Sequence, residues 1–172
     1  PTRYKGPWKP NPGHKFYNAA CIGGGCCYLF YFIGVFLFGR HRINVLEIAN
    51  DTLSIGVSIL TYTILLVGLF LSIALFFNGI FYEDYGPTSI SKLHRFWAKM
   101  LFLLFTIMKF LVGFWTFTLH LPFFYSLLAW IGCIFDLIVI LSRNNYACAE
   151  WIAIMYSFVL IFVYSWLFFS VL

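Results

Sequence analysis

The chain has 172 residues, of which 62% are hydrophobic, 23% are aromatic and only 10% are charged, and its formal net charge is +5. So few charged side chains cannot cover the surface of a water-soluble domain of this size, which excludes a soluble globular protein. The composition predicts an all-α polytopic membrane protein whose apolar residues face lipid or one another.

The first eighteen residues differ in composition from the rest of the chain, since they contain four prolines and four lysine or arginine residues. Pro7, Pro10 and Pro12 are incompatible with a regular helix. We therefore predict that residues 1–18 form an extended, basic, Pro-rich arm that lies on a membrane surface or on a partner protein. Residues 19–172 are predicted to form a single transmembrane helical domain.

Five apolar segments follow the arm, and each is long enough to cross a hydrocarbon core of about 30 Å as a helix. We place them at about 17–38, 54–81, 97–119, 122–141 and 147–172. Between the third and the fourth segment, Leu119-His120-Leu121-Pro122 is the only possible turn, because proline favours the start of a new helix. The chain is therefore predicted to have about five membrane-spanning helices, with a tight hairpin near His120-Pro122.

The first segment opens with a run of small residues, ACIGGGCC at positions 20–27. Small residues spaced by four create a smooth helix face that another backbone can approach closely. Metal binding, a disulfide or acylation of the cysteines are chemical alternatives, but adjacent cysteines chelate poorly and no CxxC spacing occurs. We therefore predict that this segment packs against another helix through Ala20, Gly23, Gly24 and Cys27.

The first segment ends in a basic cluster, Gly39-Arg40-His41-Arg42. Guanidinium groups at a membrane surface attract anionic headgroups, so Arg40 and Arg42 are predicted to bind lipid, and we expect bound phospholipid but no other cofactor. Asn50-Asp51-Thr52 in the following loop also matches a glycosylation sequon, although its closeness to the membrane argues against modification.

Lys109 and Asp136 are the only charged residues between Leu101 and Leu141. Lys109 lies 12 residues before Leu121 and Asp136 lies 15 residues after it, so in a hairpin their depths differ by only about 4–5 Å. An unpaired charge near the bilayer centre costs roughly 2.5–3.5 kcal/mol, so the two side chains are predicted to form an intramembrane ion pair. Such a pair acts either as a structural pin or as a station in a proton or ion relay, and we favour the pin because a relay usually needs several titratable groups.

The four histidines do not form a haem or metal site in the predicted topology. His94 and His120 lie at opposite ends of the third segment, about 39 Å apart along a helix, so they cannot ligate one iron. His14 and His41 lie on opposite sides of the first segment. Since no nucleotide-binding loop, catalytic triad or zinc spacing is present either, we predict neither a bound metal nor a catalytic activity of the chain's own.

The distribution of basic residues predicts the orientation in the membrane. If all five segments cross, eight lysine and arginine residues share the side of the N-terminus, and only Arg40 and Arg42 lie on the other side. The positive-inside rule then places the N-terminus in the cytosol, or in the matrix for a mitochondrial inner-membrane protein. Tryptophans near the predicted ends, with Trp115 and Trp130 flanking the hairpin, are expected to form interfacial belts.

These features favour a non-catalytic accessory subunit of a larger membrane complex, first among them a respiratory complex of the mitochondrial inner membrane. Its expected partners are other membrane subunits and lipids, with no nucleic acid. Two alternatives stay open: a small proton-coupled transporter or channel that uses Lys109 and Asp136, and a four- or five-span protein of the secretory pathway. Glycosylation at Asn50 would favour the last of these.

Overall fold

The computed structural model describes residues 14–45, 51–81, 89–141 and 147–171. These residues form five helices, and none of them is in a strand, as the composition predicted. The helices are α1 (His14–Val45), α2 (Asp51–Ile80), α3 (Ser89–Thr118), α4 (Phe123–Leu141) and α5 (Ala147–Val171). The chain is therefore an all-α polytopic membrane protein.

Four of the helices are long and apolar enough to cross a membrane, and their candidate spans are Lys15–Asn44, Ile55–Ile80, Lys92–Thr118 and Phe123–Leu141. The apolar part of α5, Ile152–Phe168, is shorter. Its 17 residues extend about 26 Å, slightly less than the hydrocarbon core. Four spans are thus supported, and the fifth crossing stays a prediction.

The first helix begins earlier than the sequence predicted. Because α1 starts at His14, residues 14–18 are helical and do not belong to an extended arm. Pro12 and Gly13 are the last helix-breaking residues before this point, and no residue from His14 to Asn18 opposes a helix. The remainder of the predicted arm, residues 1–13, lies outside the described residues, as does the sequon at Asn50.

Helices that are adjacent in the sequence pack against each other, α1 on α2, α2 on α3, α3 on α4 and α4 on α5. Short connections favour this antiparallel arrangement of neighbours. The last helix also reaches the first, because the rings of Phe38 and Phe168 lie 4.5 Å apart between their centroids. The five helices therefore enclose one apolar core.

The predicted hairpin between α3 and α4 is confirmed, and it is built around His120. The backbone N–H of His120 donates to Phe117 O at 3.1 Å, and that of Leu121 donates to Thr116 O at 3.1 Å. This pair of hydrogen bonds is the Schellman motif, which requires a left-handed residue after the helix. His120 supplies it with a φ of 53°, and Pro122 then starts the approach to α4.

Trp115 lies near the hairpin end of α3, where it was expected to join an interfacial belt, but its side chain points into the bundle. Its side chain is fully buried, and its indole N–H donates to Thr61 Oγ1 of α2 at 2.9 Å. Its ring also packs against Phe38 of α1 and Phe168 of α5, with centroids 6.1 and 6.4 Å away. Because its polar atom finds a partner inside the bundle, the side chain joins four helices and does not need interfacial water.

Candidate functional site

Lys109 of α3 and Asp136 of α4 form the predicted ion pair. Lys109 Nζ donates a hydrogen bond to Asp136 Oδ1 at 2.8 Å and lies 2.7 Å from Oδ2. Only 5% of Lys109 and 0% of Asp136 is exposed, so the pair is buried within the bundle. A buried pair with this geometry compensates the cost of removing both charges from water far better than either charge alone would.

The register of the hairpin brings the two charges together. Thr116 and Ser126, each five residues from Leu121, share a hydrogen bond of 2.9 Å between their hydroxyl oxygens. One helical turn farther from the hairpin loop, Gly113 faces Trp130. The contact is so close that a Cβ on Gly113 would overlap the indole ring. The same antiparallel register continues to Lys109 and Asp136, and the lysine side chain spans the remaining difference in depth.

Gly132 gives the lysine its route to the carboxylate. It lies one helical turn before Asp136, on the same face of α4. A Cβ at this position would lie 3.0 Å from Lys109 Cδ and 2.7 Å from Tyr156 Cε1. The aliphatic part of Lys109 therefore passes over α4 where the helix has no side chain, and the ammonium group reaches Asp136 beyond it.

Aromatic rings cover the ammonium group. Lys109 Nζ lies 5.4 Å from the ring centroid of Phe105 and 6.0 Å from that of Tyr156. Both distances are in the range of cation–π attraction, which is strongest where water is excluded. Tyr156 is held by a hydrogen bond from its hydroxyl to Leu128 O at 2.9 Å, and Phe105 packs against Tyr28 of α1. Helices α1, α3, α4 and α5 thus all contribute to the site.

A small cavity of about 50 Å³ adjoins the lysine, lined among others by Tyr28, Tyr164 and Ser157. This volume exceeds the roughly 10–15 Å³ that one water molecule needs. Asp136 Oδ2 accepts no directed hydrogen bond from the described residues, although it contacts the ammonium group. The site can therefore hold a fixed charge pair next to a few water molecules.

Sequence spacing indicated part of this site. Phe105 lies four residues before Lys109, and Gly132 lies four residues before Asp136, so each shares a helix face with a charge. Sequence reasoning missed both residues, although this spacing could have identified them. It also missed Tyr156, for which the sequence carries no signal, because α5 approaches α4 only in the folded bundle.

The small residues of α1 divide between two faces. A Cβ on Gly24 would contact Leu75 of α2 at 3.2 Å, whereas Gly23 has no other atom within 4 Å, and both Ala20 and Cys27 are exposed. Among these small residues, the tightest contact with α2 is made instead at Gly25, where a Cβ would lie 2.8 Å from Ser72 O. Within the chain, the packing face is thus displaced by one residue from the predicted one. A role of Ala20, Gly23 and Cys27 in packing against another subunit stays a prediction.

Arg40 and Arg42 lie near the C-terminal end of α1, and both are partly buried. The Nε of Arg42 is shielded from solvent and has no hydrogen-bond partner among the described residues. The predicted lipid-headgroup role of both arginines stays a prediction.

The histidines occupy separate places. His94 is buried and its Nδ1 is hydrogen-bonded to Phe81 O at the end of α2, while His120 is exposed in the hairpin turn. Among the described residues, no group of three or more His, Cys, Asp or Glu side chains is arranged to hold a metal ion. His94 thus has a backbone hydrogen-bond partner, and His120 forms the turn of the hairpin.

No family model, curated protein or solved structure matches the chain. The function proposed below therefore depends on the geometry of the chain itself.

Proposed function

We propose that this chain is a non-catalytic accessory subunit of a larger membrane complex, with Lys109 and Asp136 as an internal pin between α3 and α4. A respiratory complex of the mitochondrial inner membrane is the first candidate. The N-terminus would then lie on the matrix side, or in the cytosol if the complex belongs to another membrane. The partners would be other membrane subunits and phospholipid.

The closed geometry of the ion pair carries this proposal. The two charges satisfy each other at 2.7 and 2.8 Å, and aromatic rings cover the ammonium group. Among the side chains that the structure describes, Asp136 is the sole carboxylate, whereas a relay usually has several titratable stations. A single closed pair is suited to fixing helix register, which is the best-attested use of a buried ionic contact.

The composition supports the assignment to a complex. These 172 residues are 62% hydrophobic, so much of their outer surface is suited to contact with lipid or with other membrane subunits. The activity of the chain would therefore lie in bracing, sealing or lipid organisation around other subunits. The proposed mitochondrial location depends only on the basic and hydrophobic composition of the chain.

Purification of the tagged chain from its native membrane in a mild detergent tests the proposal. We expect the chain to co-migrate with a defined set of membrane subunits on native gels, at a constant ratio. Recovery of the chain alone, or only as copies of itself, would contradict the accessory role. Recovery in a complex of another membrane would retain the accessory role and remove the mitochondrial placement.

A small proton-coupled transporter or channel is the second candidate, and the cavity beside Lys109 favours it. The cavity has room for water, and four hydroxyl-bearing side chains line it, namely Tyr28, Tyr31, Ser157 and Tyr164. Water next to a buried ion pair is the arrangement that a proton path requires. The volume of about 50 Å³ is local, however, and holds only a few molecules.

Asp136→Asn separates the two candidates. An accessory subunit with a structural pin predicts weakened assembly, with the turnover of the whole complex falling in proportion to the amount assembled. A relay predicts normal assembly together with lost proton transport, measured with a pH-sensitive dye in proteoliposomes. The ratio of transport to assembled protein is therefore the decisive quantity.

A further inference from the structure

A fissure opens along the outer surface of the bundle between α1 and α5. It has a volume of about 470 Å³, within the range of small-molecule sites. We call it the α1–α5 fissure. It is lined by Tyr31, Gly34, Leu37, Phe38 and His41 of α1 and, among others, by Phe168 of α5.

The length of the fissure matches one leaflet of a bilayer. The lining residues of α1 recur on one stripe from Tyr31 to His41, a distance of about 15 Å at 1.5 Å per residue. This is half of a hydrocarbon core of about 30 Å. Because α1 runs from His14 to Val45, Tyr31 lies near the middle of the helix and His41 lies near its end. The fissure therefore runs from the bilayer centre to one surface.

The lining of the fissure is mostly apolar, and its volume of about 470 Å³ extends over about 15 Å along α1. Phe38 and Phe168, which contact each other, both line it, and a Cβ on Gly34 would meet no atom within 4 Å. A single hydrocarbon chain is a membrane component that fits this space.

A basic segment lies at the outer end of the fissure. His41 lines this end, and Arg40 and Arg42, which are partly buried, flank His41 in the sequence. Guanidinium groups bind phosphate oxygens through charge-assisted hydrogen bonds. An apolar channel that ends at a basic cluster is complementary to a hydrocarbon tail that ends at an anionic headgroup.

We propose that the α1–α5 fissure binds one acyl chain of an anionic phospholipid, whose phosphate is held by Arg40, His41 and Arg42. The lipid would cover the gap between α1 and α5 beside the ring contacts of Phe168 with Tyr31 and Phe38. This site is independent of the accessory role, since a transporter with the same fold would bind the same lipid.

Two pairs of matched variants test the site. Gly34→Leu fills the fissure, and Gly23→Leu is its control, because both glycines are exposed on α1 with no other atom within 4 Å. The double variant Arg40→Gln/Arg42→Gln removes the basic end. Lys92→Gln/Lys99→Gln is the control for charge, since it removes two exposed positive charges elsewhere on the chain.

Native mass spectrometry of the purified full chain, delipidated and titrated with phosphatidylglycerol or phosphatidylcholine of the same acyl chains, measures the binding. We expect the wild type to retain one phosphatidylglycerol with at least tenfold preference. Gly34→Leu should lose at least tenfold in retention of both lipids, and the arginine double variant should lose the preference. Both control variants should behave as the wild type, with circular dichroism reporting that each variant keeps its helical content.

Four results would overturn the proposal: no preference of the wild type for phosphatidylglycerol, equal retention by Gly34→Leu and the wild type, equal losses in a variant and its control, or loss of a dimer in place of a lipid in Gly34→Leu. The last result would assign the fissure to a second copy of this chain. Should Gly34→Leu fail to fold, the comparison of the arginine and lysine double variants decides the question.

Discussion

Gly132 and Lys109 lie in direct contact across the α3–α4 interface, and a Cβ on Gly132 would come within 3.0 Å of Lys109 Cδ. The missing side chain on α4 thus provides the path by which the lysine reaches Asp136, one turn farther along that helix. The ion pair depends on a third residue that carries no charge.

Gly132→Ala should therefore weaken the bundle. The added methyl group would also lie 2.7 Å from Tyr156 Cε1, so both Lys109 and Tyr156 must move. Overpacking of this kind costs about 1–3 kcal/mol. Thermal unfolding in detergent micelles measures the change, with Gly56→Ala as the control because Gly56 is exposed and has no neighbour within 4 Å. Equal midpoints for the two variants would contradict this account of Gly132.

Removing one charge of the pair should be more harmful than removing both. Asp136→Asn leaves a buried ammonium group without its counter-ion, and we expect a loss of about 3 kcal/mol in unfolding free energy. The double variant Lys109→Met/Asp136→Leu replaces the pair by apolar side chains and should stay within about 1 kcal/mol of the wild type. Denaturant titration of the protein in mixed micelles gives both values. A double variant as unstable as Asp136→Asn would show that the pair itself, and not only its balance of charge, stabilises the fold.

Thr61→Val should destabilise the contact between α2 and α3. Thr61 Oγ1 accepts a hydrogen bond from the indole N–H of Trp115, whose side chain is fully buried. In the variant this N–H would lose its acceptor, which should lower the unfolding free energy by about 1–3 kcal/mol. Thr63→Val is a close control, because both hydroxyls donate to the carbonyl four residues earlier but only Thr61 has the tryptophan partner. Tryptophan fluorescence during thermal unfolding reports the midpoints, and the prediction fails if the two variants melt together.

Gly25→Ala should disturb the packing of α1 on α2, whereas Gly23→Ala should not. A Cβ on Gly25 would lie 2.8 Å from Ser72 O and 3.0 Å from Phe76 N, and backbone atoms cannot rotate away. A Cβ on Gly23 would meet open space. Gly23→Ala should therefore raise the unfolding free energy by at most about 1 kcal/mol, because alanine has a better helix propensity than glycine. Unfolding midpoints of both variants, compared with the wild type, should shift in opposite directions. A stabilised Gly25→Ala would place the helix contact elsewhere.

His120→Gly should keep or slightly stabilise the hairpin, and His120→Val should weaken it. His120 adopts a φ of 53°, which glycine accepts without strain and which a β-branched residue opposes by about 1–2 kcal/mol. His120 is exposed, so the substitutions remove no buried contact. The difference in unfolding free energy between the two variants measures the backbone effect. Identical stabilities would contradict the assigned conformation.

Much of the architecture could be predicted because lipid imposes strong rules on sequence. The four supported spans follow from apolar runs of sufficient length, and the hairpin follows from Pro122 at the start of α4. The ion pair followed from the similar distances of Lys109 and Asp136 from that turn, 12 and 15 residues from Leu121. In contrast, the register of α1 on α2 was displaced by one residue, because three consecutive glycines offer several smooth faces of nearly equal quality.

Composition and residue spacing alone establish that this chain is a helical membrane protein, since backbone groups in lipid must be satisfied within helices and apolar runs must be long enough to cross. They also predict that the charges of the hairpin meet, because counting from the turn gives the antiparallel register. Which neighbours enclose these charges is visible in the folded bundle and not in the sequence. The approach of Tyr156 from α5, the burial of Trp115 among four helices and the opening of the α1–α5 fissure depend on side-chain packing between distant segments, which no local pattern encodes.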